Sequence, residues 1–127
     1  MPARTPAEIC TIFQRAMADG DLDAVLDVYD REAVFVHQSG EVTKGWDALH
    51  GALAPLVAAR TCFDFTIKAV VEAGDIALMH TRWTVSGDRP MNVHAIEVAR
   101  RQPDGSWKWL IGDPYTIGRV SMAVWTA

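Results

Sequence analysis

The chain has 127 residues, of which half are apolar and 22% are charged, and its formal net charge is −4. This length fits one domain, expected to span residues 1–127, and this composition is typical of a folded protein and not of a disordered one. The acidic charge argues against nucleic acid as the main partner, and no apolar run approaches the roughly 20 residues that cross a membrane.

The first eight residues lack the basic and then apolar order of a signal peptide, so we expect a cytoplasmic protein. Cys10 and Cys62 do not have the spacing of a metal site, and two thiols in such a protein are expected to be reduced. The sequence has no glycine-rich phosphate or dinucleotide motif. We therefore expect neither a metal nor a cofactor.

Two helices are predicted at the start of the chain. Thr5 and Glu8 have the spacing of a capping box, and apolar residues behind them recur with helical periodicity until Gly20. Asp21 is placed to cap a short second helix that carries Tyr29 near its end. Both helices are expected to bury one face.

A short strand at residues 33–38 and a third helix at about residues 47–59 are predicted next, with a kink or an early end at Pro55. After residue 60 the apolar period changes from 3.6 to 2, which is typical of strands. Four strands are predicted, at about residues 63–72, 77–85, 93–101 and 107–115. Helices followed by an antiparallel meander indicate an α+β fold with the helices packed on one face of the sheet.

The element order, together with the segment MADGDLDAVLDVYDREAVFVHQSGEVTKGWDAL, resembles the NTF2-like superfamily of ketosteroid isomerase and the SnoaL-like polyketide cyclases. The tail RRQPDGSWKWLIGDPYT resembles more narrowly the bacterial YybH-like proteins. The resemblance covers residues 5–116 and implies a cystatin-like cone, in which three N-terminal helices pack on a curved, mainly antiparallel sheet. Isomerases, cyclases, dehydratases and binding domains share this fold, so the fold does not settle the function.

The resemblance implies a cavity between sheet and helices and suggests where its polar groups lie. The tyrosine that donates to the oxyanion in ketosteroid isomerase falls on Phe13, the general base falls on His37, and the protonated aspartate falls near Ile96. Phe13 and Ile96 cannot donate hydrogen bonds to an enolate, and the loss of such donors typically costs orders of magnitude in rate. We therefore do not expect steroid isomerisation.

His37 and Asp113 are the candidate catalytic residues. An imidazole is a suitable general base at neutral pH, and Asp113 at the end of the last strand could orient it or act as its acid–base partner. In the alternative interpretation, His37 only hydrogen-bonds Tyr29 or a backbone carbonyl, and Asp113 forms an Asx-type turn before Pro114.

The expected ligand-binding residues are mostly apolar or aromatic. They include Phe13 on the first helix and Trp83 on the strand predicted at about residues 77–85. Other residues share the cavity-lining parity of the sheet or close the mouth of the cavity: Tyr29, Trp46, Met79, Thr81, His94 and Ile96. A cavity of this kind suits a small apolar or aromatic molecule.

Two functions follow and both stay open. One is a small-ligand pocket that carries out cofactor-free acid–base chemistry, such as isomerisation, cyclisation or dehydration, with His37 as base. The other is a non-catalytic ligand-binding or dimerisation module. Titratable groups that converge inside the cavity would favour the enzyme.

A homodimer is also expected. The resemblance implies that the convex sheet face is buried against a second copy, and both parities of the strands carry apolar residues although helices can cover only one face. Trp107 and Trp109 either fill the cone or add to the uncovered face. The apolar tail, residues 117–127, is expected to extend the last strand, cross to the partner or fold back.

Overall fold

Three helices and six strands make up the fold. The structure, a computed structural model, describes residues 2–86 and 91–117. In chain order its elements are α1 (Pro6–Asp19), α2 (Leu22–Asp27), β1 (Tyr29–Val36), β2 (Val42–Lys44), α3 (Trp46–Ala58), β3 (Cys62–Ala73), β4 (Ile76–Ser86), β5 (Met91–Arg101) and β6 (Trp107–Asp113). The turn expected at residues 87–90 and the tail beyond residue 117 lie outside the described residues. None of the described helices is both long enough and apolar enough to cross a membrane.

The first two helices begin where their caps predict. The Thr5 hydroxyl accepts a hydrogen bond from the Glu8 N–H at 3.3 Å, and Gly20 ends α1 with a φ of 69°. Glycine adopts this left-handed conformation without steric cost, which explains the stop. The Asp21 carboxylate caps α2 through the Ala24 N–H at 3.1 Å. Both predicted starts are confirmed.

Three details differ from the predictions. Tyr29 begins β1, where it pairs in parallel with Trp109, and does not belong to the second helix. The short strand β2 was not predicted; it pairs antiparallel with the end of β1. Helix α3 continues past Pro55 to Ala58, so the early end does not occur; Pro55 and Gly51, whose carbonyl loses its helical donor, are both exposed.

The strands form one sheet in the order β2-β1-β6-β5-β4-β3, antiparallel except for the parallel pair β1–β6. Its two faces are set by the register of β4 against β5. Met79 lies opposite Glu97 on the face that the helices cover, which we call the inner face. His80 lies opposite Ile96 on the other side, the outer face.

Phe13 is the centre of the core. Its ring is 1% exposed and contacts five other aromatic rings edge-on or tilted, with centroids 5.3 to 6.5 Å away. We call this group the aromatic cluster: Phe13, Tyr29, Phe63, Phe65, Trp83 and Trp109. Trp109 therefore fills the interior, and Trp107 is also buried, so neither ring adds to the outer face.

Candidate ligand-binding cavity

A cavity of about 180 Å³ lies between the inner face and helices α1 and α3. Its wall is mainly aromatic and aliphatic and includes Phe13, Phe35, Leu53 and Trp83. Tyr29, Thr61 and Tyr115 are the lining residues with a polar side chain, and none of the described residues that line the cavity carries a carboxylate or an imidazole. The cavity is therefore suited to an uncharged, largely apolar molecule.

The cavity adjoins an open surface depression. Four residues line both spaces: Met91, Val93, Pro114 and Tyr115. The depression adds the polar side chains of Gln38, Asn92 and His94. The Asn92 side-chain oxygen accepts a hydrogen bond from Arg82 Nε at 2.8 Å, so its amide nitrogen is the group that is left to bind elsewhere. The mouth is thus more polar than the interior.

Glu97 is a buried carboxyl group directly behind the cavity wall. It is 1% exposed, and its Oε1 accepts hydrogen bonds from the Thr81 hydroxyl and, at 3.2 Å, from the indole N–H of Trp83. Burial raises the pKa of Glu97 to about 7, although the bonds from Thr81 and Trp83 act in the opposite direction. Glu97 therefore exchanges its proton near neutral pH.

Cys10 and Tyr29 share this environment. Burial and the nearby Glu97 charge raise the pKa of the Cys10 thiol well above its usual value, and the same two causes raise the pKa of the Tyr29 hydroxyl. Both groups therefore stay protonated at neutral pH, and Glu97 is the member of this trio that titrates there.

His37 lies one ring away from the cavity. Its imidazole packs edge-on against Phe35, a cavity wall, with centroids 5.2 Å apart, and its Nε2 is hydrogen-bonded to the Thr43 hydroxyl. His37 directly follows β1, two residues after Phe35, and is not among the lining residues. Its expected role as base stays a prediction.

Asp113 ends β6 in a turn. Its Oδ1 accepts hydrogen bonds from the backbone N–H groups of Tyr115 and Thr116 at 3.1 and 2.9 Å. This is the Asx-type turn of the alternative interpretation. Asp113 also lies opposite Ile96, which faces away from the helices.

The other expected ligand residues divide between the cavity and its surroundings. Phe13, Tyr29 and Trp83 line the cavity together, as expected. Met79 and Thr81 are fully buried on the same face but lie deeper, beside Glu97.

Trp46 lies at the start of α3 and is not among the cavity-lining residues. Its indole N–H donates to the backbone oxygens of Tyr29 and Asp30 at 3.1 and 3.2 Å, and the Arg31 guanidinium lies 4.1 Å from its ring centre. These contacts attach α3 to β1. Trp46 therefore has a structural role, which the sequence did not reveal.

His94 and Ile96 lie on the outer face, and this corrects the expected parity of β5. Their partners across the strand pair, Arg82 and His80, alternate with the buried inner-face residues, and the His80 and His94 rings lie 6.0 Å apart. Ile96 therefore does not share the cavity with Trp83. His94 reaches only the open depression.

Glu97 was missed because its neighbours favoured the wrong face. The larger apolar residues Ile96 and Val98 are on the outer face, whereas small alanines flank Glu97 on the inner one. The face of Glu97 depends on the register of the β4–β5 pair. The structure pairs Val85 with Met91 and so places Glu97 opposite Met79, whereas a turn at residues 87–90 that paired Ser86 with Met91 would have placed Ile96 on the inner face.

A SnoaL-like domain model matches residues 11–109, which include most of α1, all of α3 and the cavity-lining residues from Phe13 to Val93. The chain belongs to the SnoaL-like family. The narrower resemblance to YybH-like proteins stays a prediction. No curated protein matches this SnoaL-like chain significantly.

Solved structures confirm the NTF2-like fold. A candidate calcium/calmodulin-dependent protein kinase type II association domain from Thiobacillus denitrificans is 19% identical, with a TM-score of 0.74, over 89% of this chain and 95% of that chain. A candidate dehydratase of the NTF2-like family from Streptomyces avermitilis is 22% identical, with a TM-score of 0.70, over 84% and 90%. A candidate ketosteroid isomerase from Shewanella frigidimarina is 18% identical, with a TM-score of 0.68, over 83% and 89%. Their names differ in function, so the likeness establishes the fold alone.

Proposed function

We propose that this SnoaL-like protein binds a small, uncharged aromatic molecule in the cavity between its sheet and helices. The observation that carries the proposal is the aromatic wall around about 180 Å³ of space. An apolar cavity of about 150 Å³ in another protein binds benzene, so this volume suits one aromatic ring with a short substituent. A polar end of such a molecule fits the depression beside Asn92 and His94.

Binding is favoured over catalysis by the chemistry of the wall. Two titratable groups within reach of one bound molecule would indicate an enzyme. Here the Glu97 carboxyl lies behind Trp83, and the His37 ring lies behind Phe35. Within the cavity, the groups that contact a bound molecule are therefore apolar side chains and the hydroxyl groups of Tyr29, Thr61 and Tyr115.

Replacement of Val93 by Phe tests the cavity. Val93 lines the cavity from β5, and an added ring there occupies space that a ligand needs. We expect Val93→Phe to bind toluene at least about tenfold more weakly than the unmodified protein in calorimetric titration, a loss of about 1.4 kcal/mol.

The matched control is Val42→Phe, the same substitution at an exposed position outside the cavity lining. It should bind toluene as the unmodified protein does, and circular dichroism should show both variants folded. Equal toluene affinity in a folded Val93→Phe variant would place the binding site elsewhere.

Cofactor-free acid–base catalysis with His37 as base is a second candidate function. The edge-on contact of His37 with Phe35 favours it, because a modest movement of one ring would bring the imidazole to a bound molecule. An imidazole at that place could remove a proton next to a carbonyl group. Loss of exchange of a carbonyl compound's α-protons in His37→Gln, measured by NMR in deuterated water, would support this function.

We expect no isomerisation of a 5-ene-3-ketosteroid. Phe13 offers no hydrogen bond to an oxyanion, and the cavity is smaller than the roughly 300 Å³ at which ligand pockets usually begin. In an absorbance assay for the conjugated product, the rate with protein should equal that of buffer alone. A rate typical of an isomerase would refute both arguments.

We propose in addition that two copies associate through the outer face. One row of apolar residues crosses five strands there in register: Val71, Leu78, Val98, Ile111 and Val34. Val71 is 60% exposed and Leu78 is 49% exposed, and soluble monomers seldom expose a large continuous apolar patch. A two-fold dimer would cover the row on both copies. An association domain among the structural neighbours is in keeping with this proposal.

Leu78→Lys tests the dimer. A charge at the middle of the row loses its water on association, so the variant should be monomeric at micromolar concentration. Light scattering should give twice the chain mass of 14.0 kDa for the unmodified protein and the single mass for Leu78→Lys. Ala52→Lys, at an exposed position of α3, is the control and should remain dimeric. A single chain mass for the unmodified protein would refute the dimer.

A further inference from the structure

One wall of the cavity is hydrogen-bonded to a buried acid. The Trp83 indole N–H donates to Thr81 Oγ1 at 2.9 Å and to Glu97 Oε1 at 3.2 Å, while its ring faces the cavity. The other carboxyl oxygen, Oε2, is buried and has no hydrogen-bond partner among the described residues. The Trp83 side chain thus separates the Glu97 carboxyl group from the space where a ligand would lie.

We propose that Glu97 takes up a proton from solvent when a small apolar molecule fills the cavity, so that binding is coupled to protonation. Glu97 acts here as a positioning residue through Trp83 and does not itself touch the bound molecule. This inference rests on the proposed function, because it requires the cavity to be a binding site.

The coupling follows from hydration. Water that occupies the cavity lies one indole ring away from the Glu97 carboxylate and screens its charge through Trp83, and an apolar molecule in the cavity displaces that water. The loss disfavours the ionised form more than the neutral acid. Because the pKa of Glu97 is about 7 in the empty protein, the affected proton equilibrium lies in the neutral range.

The other titratable groups around Glu97 do not replace it. Cys10 on α1 and Tyr29 on β1 face it and have pKa values raised well above neutral by burial and by the Glu97 charge, so both stay protonated. Two imidazoles also lie near the cavity: Phe35 stands between His37 and the cavity, and His94 lines the adjoining depression. The experiment must therefore distinguish Glu97 from His37 and His94.

Calorimetric titration with toluene in two buffers measures the coupling in the unmodified protein. Toluene carries no titratable group, so a difference in binding enthalpy between phosphate and Tris, which differ in ionisation enthalpy, counts the protons taken up. We expect net uptake near pH 7 and an affinity that falls about tenfold from about pH 5.5 to about pH 8.5, equivalent to one pKa unit between the empty and filled states.

Two variants assign the proton. Glu97→Gln keeps an acceptor for Trp83 and should bind toluene with neither uptake nor pH dependence, whereas Glu72→Gln, the same change at an exposed position, should behave as the unmodified protein. Uptake that persists in Glu97→Gln and disappears in His37→Gln or in His94→Gln would overturn the proposal. Binding without uptake in the unmodified protein would overturn the coupling alone, and no toluene binding at any pH would overturn the coupling and the proposed function together.

Discussion

Phe13→Ala should lower the free energy of unfolding by about 3 to 5 kcal/mol, which is the usual cost of removing a buried phenylalanine. The ring is 1% exposed and lies 5.3 Å from Trp109 and 5.4 Å from Phe63. Because Phe13 joins α1 to four strands, its neighbours cannot close the gap without moving the helix. Urea denaturation followed by circular dichroism measures the change.

Thr11→Ala is the control for this prediction. Thr11 lies in the same helix but is exposed, and such surface changes usually alter stability by less than about 0.5 kcal/mol. A loss below about 1 kcal/mol in Phe13→Ala would show that the aromatic cluster does not hold the helices on the sheet.

Stability should fall as pH rises through the neutral range, because the folded state holds a proton on Glu97 that the unfolded chain releases. The pKa of Glu97 is about 7 in the folded protein against 4.5 for an ordinary glutamate. The contribution is fully present below about pH 4.5 and is lost progressively as pH rises to about 7. At about 1.4 kcal/mol for each pKa unit, the loss is about 3 to 4 kcal/mol.

Glu97→Gln should abolish this dependence, since its amide does not titrate, and Glu72→Gln should retain it. Asp30 does not interfere: burial opposes its ionisation, but hydrogen bonds from Arg100 and others lower its pKa below 3.8, so its effect on stability lies at more acidic pH. Urea midpoints between about pH 5 and pH 8 make the comparison. Stability that rises across this range in the unmodified protein would contradict the assignment.

The sequence predicted best what local chemistry determines. The caps at Thr5, Gly20 and Asp21 need only neighbouring residues, and the structure confirms them. The strand alternation that placed Trp83 on the inner face reflects burial along a single strand, and it is also confirmed. Such signals are complete within a few residues of the chain.

What the sequence did not predict depends on contacts between distant strands. The inner face of β5 carries Ala95 and Ala99 because large rings from other elements already fill the space, so alternation by size pointed Ile96 inwards wrongly. Glu97 was missed for the same reason. Whether His37 reached the cavity also depended on the position of Phe35, which is set by the packing of β1 against β6.

An NMR titration of the indole N–H groups tests most directly whether the cavity binds an aromatic molecule. The chain has five tryptophans, and among them Trp83 lines the cavity whereas Trp46 is hydrogen-bonded to backbone oxygens of β1 outside it. Saturation with toluene should shift the Trp83 indole signal strongly, through ring current and its bond to Glu97, and should leave the Trp46 signal in place. A Trp83 signal that does not move, or a shift confined to Trp46, would contradict the proposed binding site.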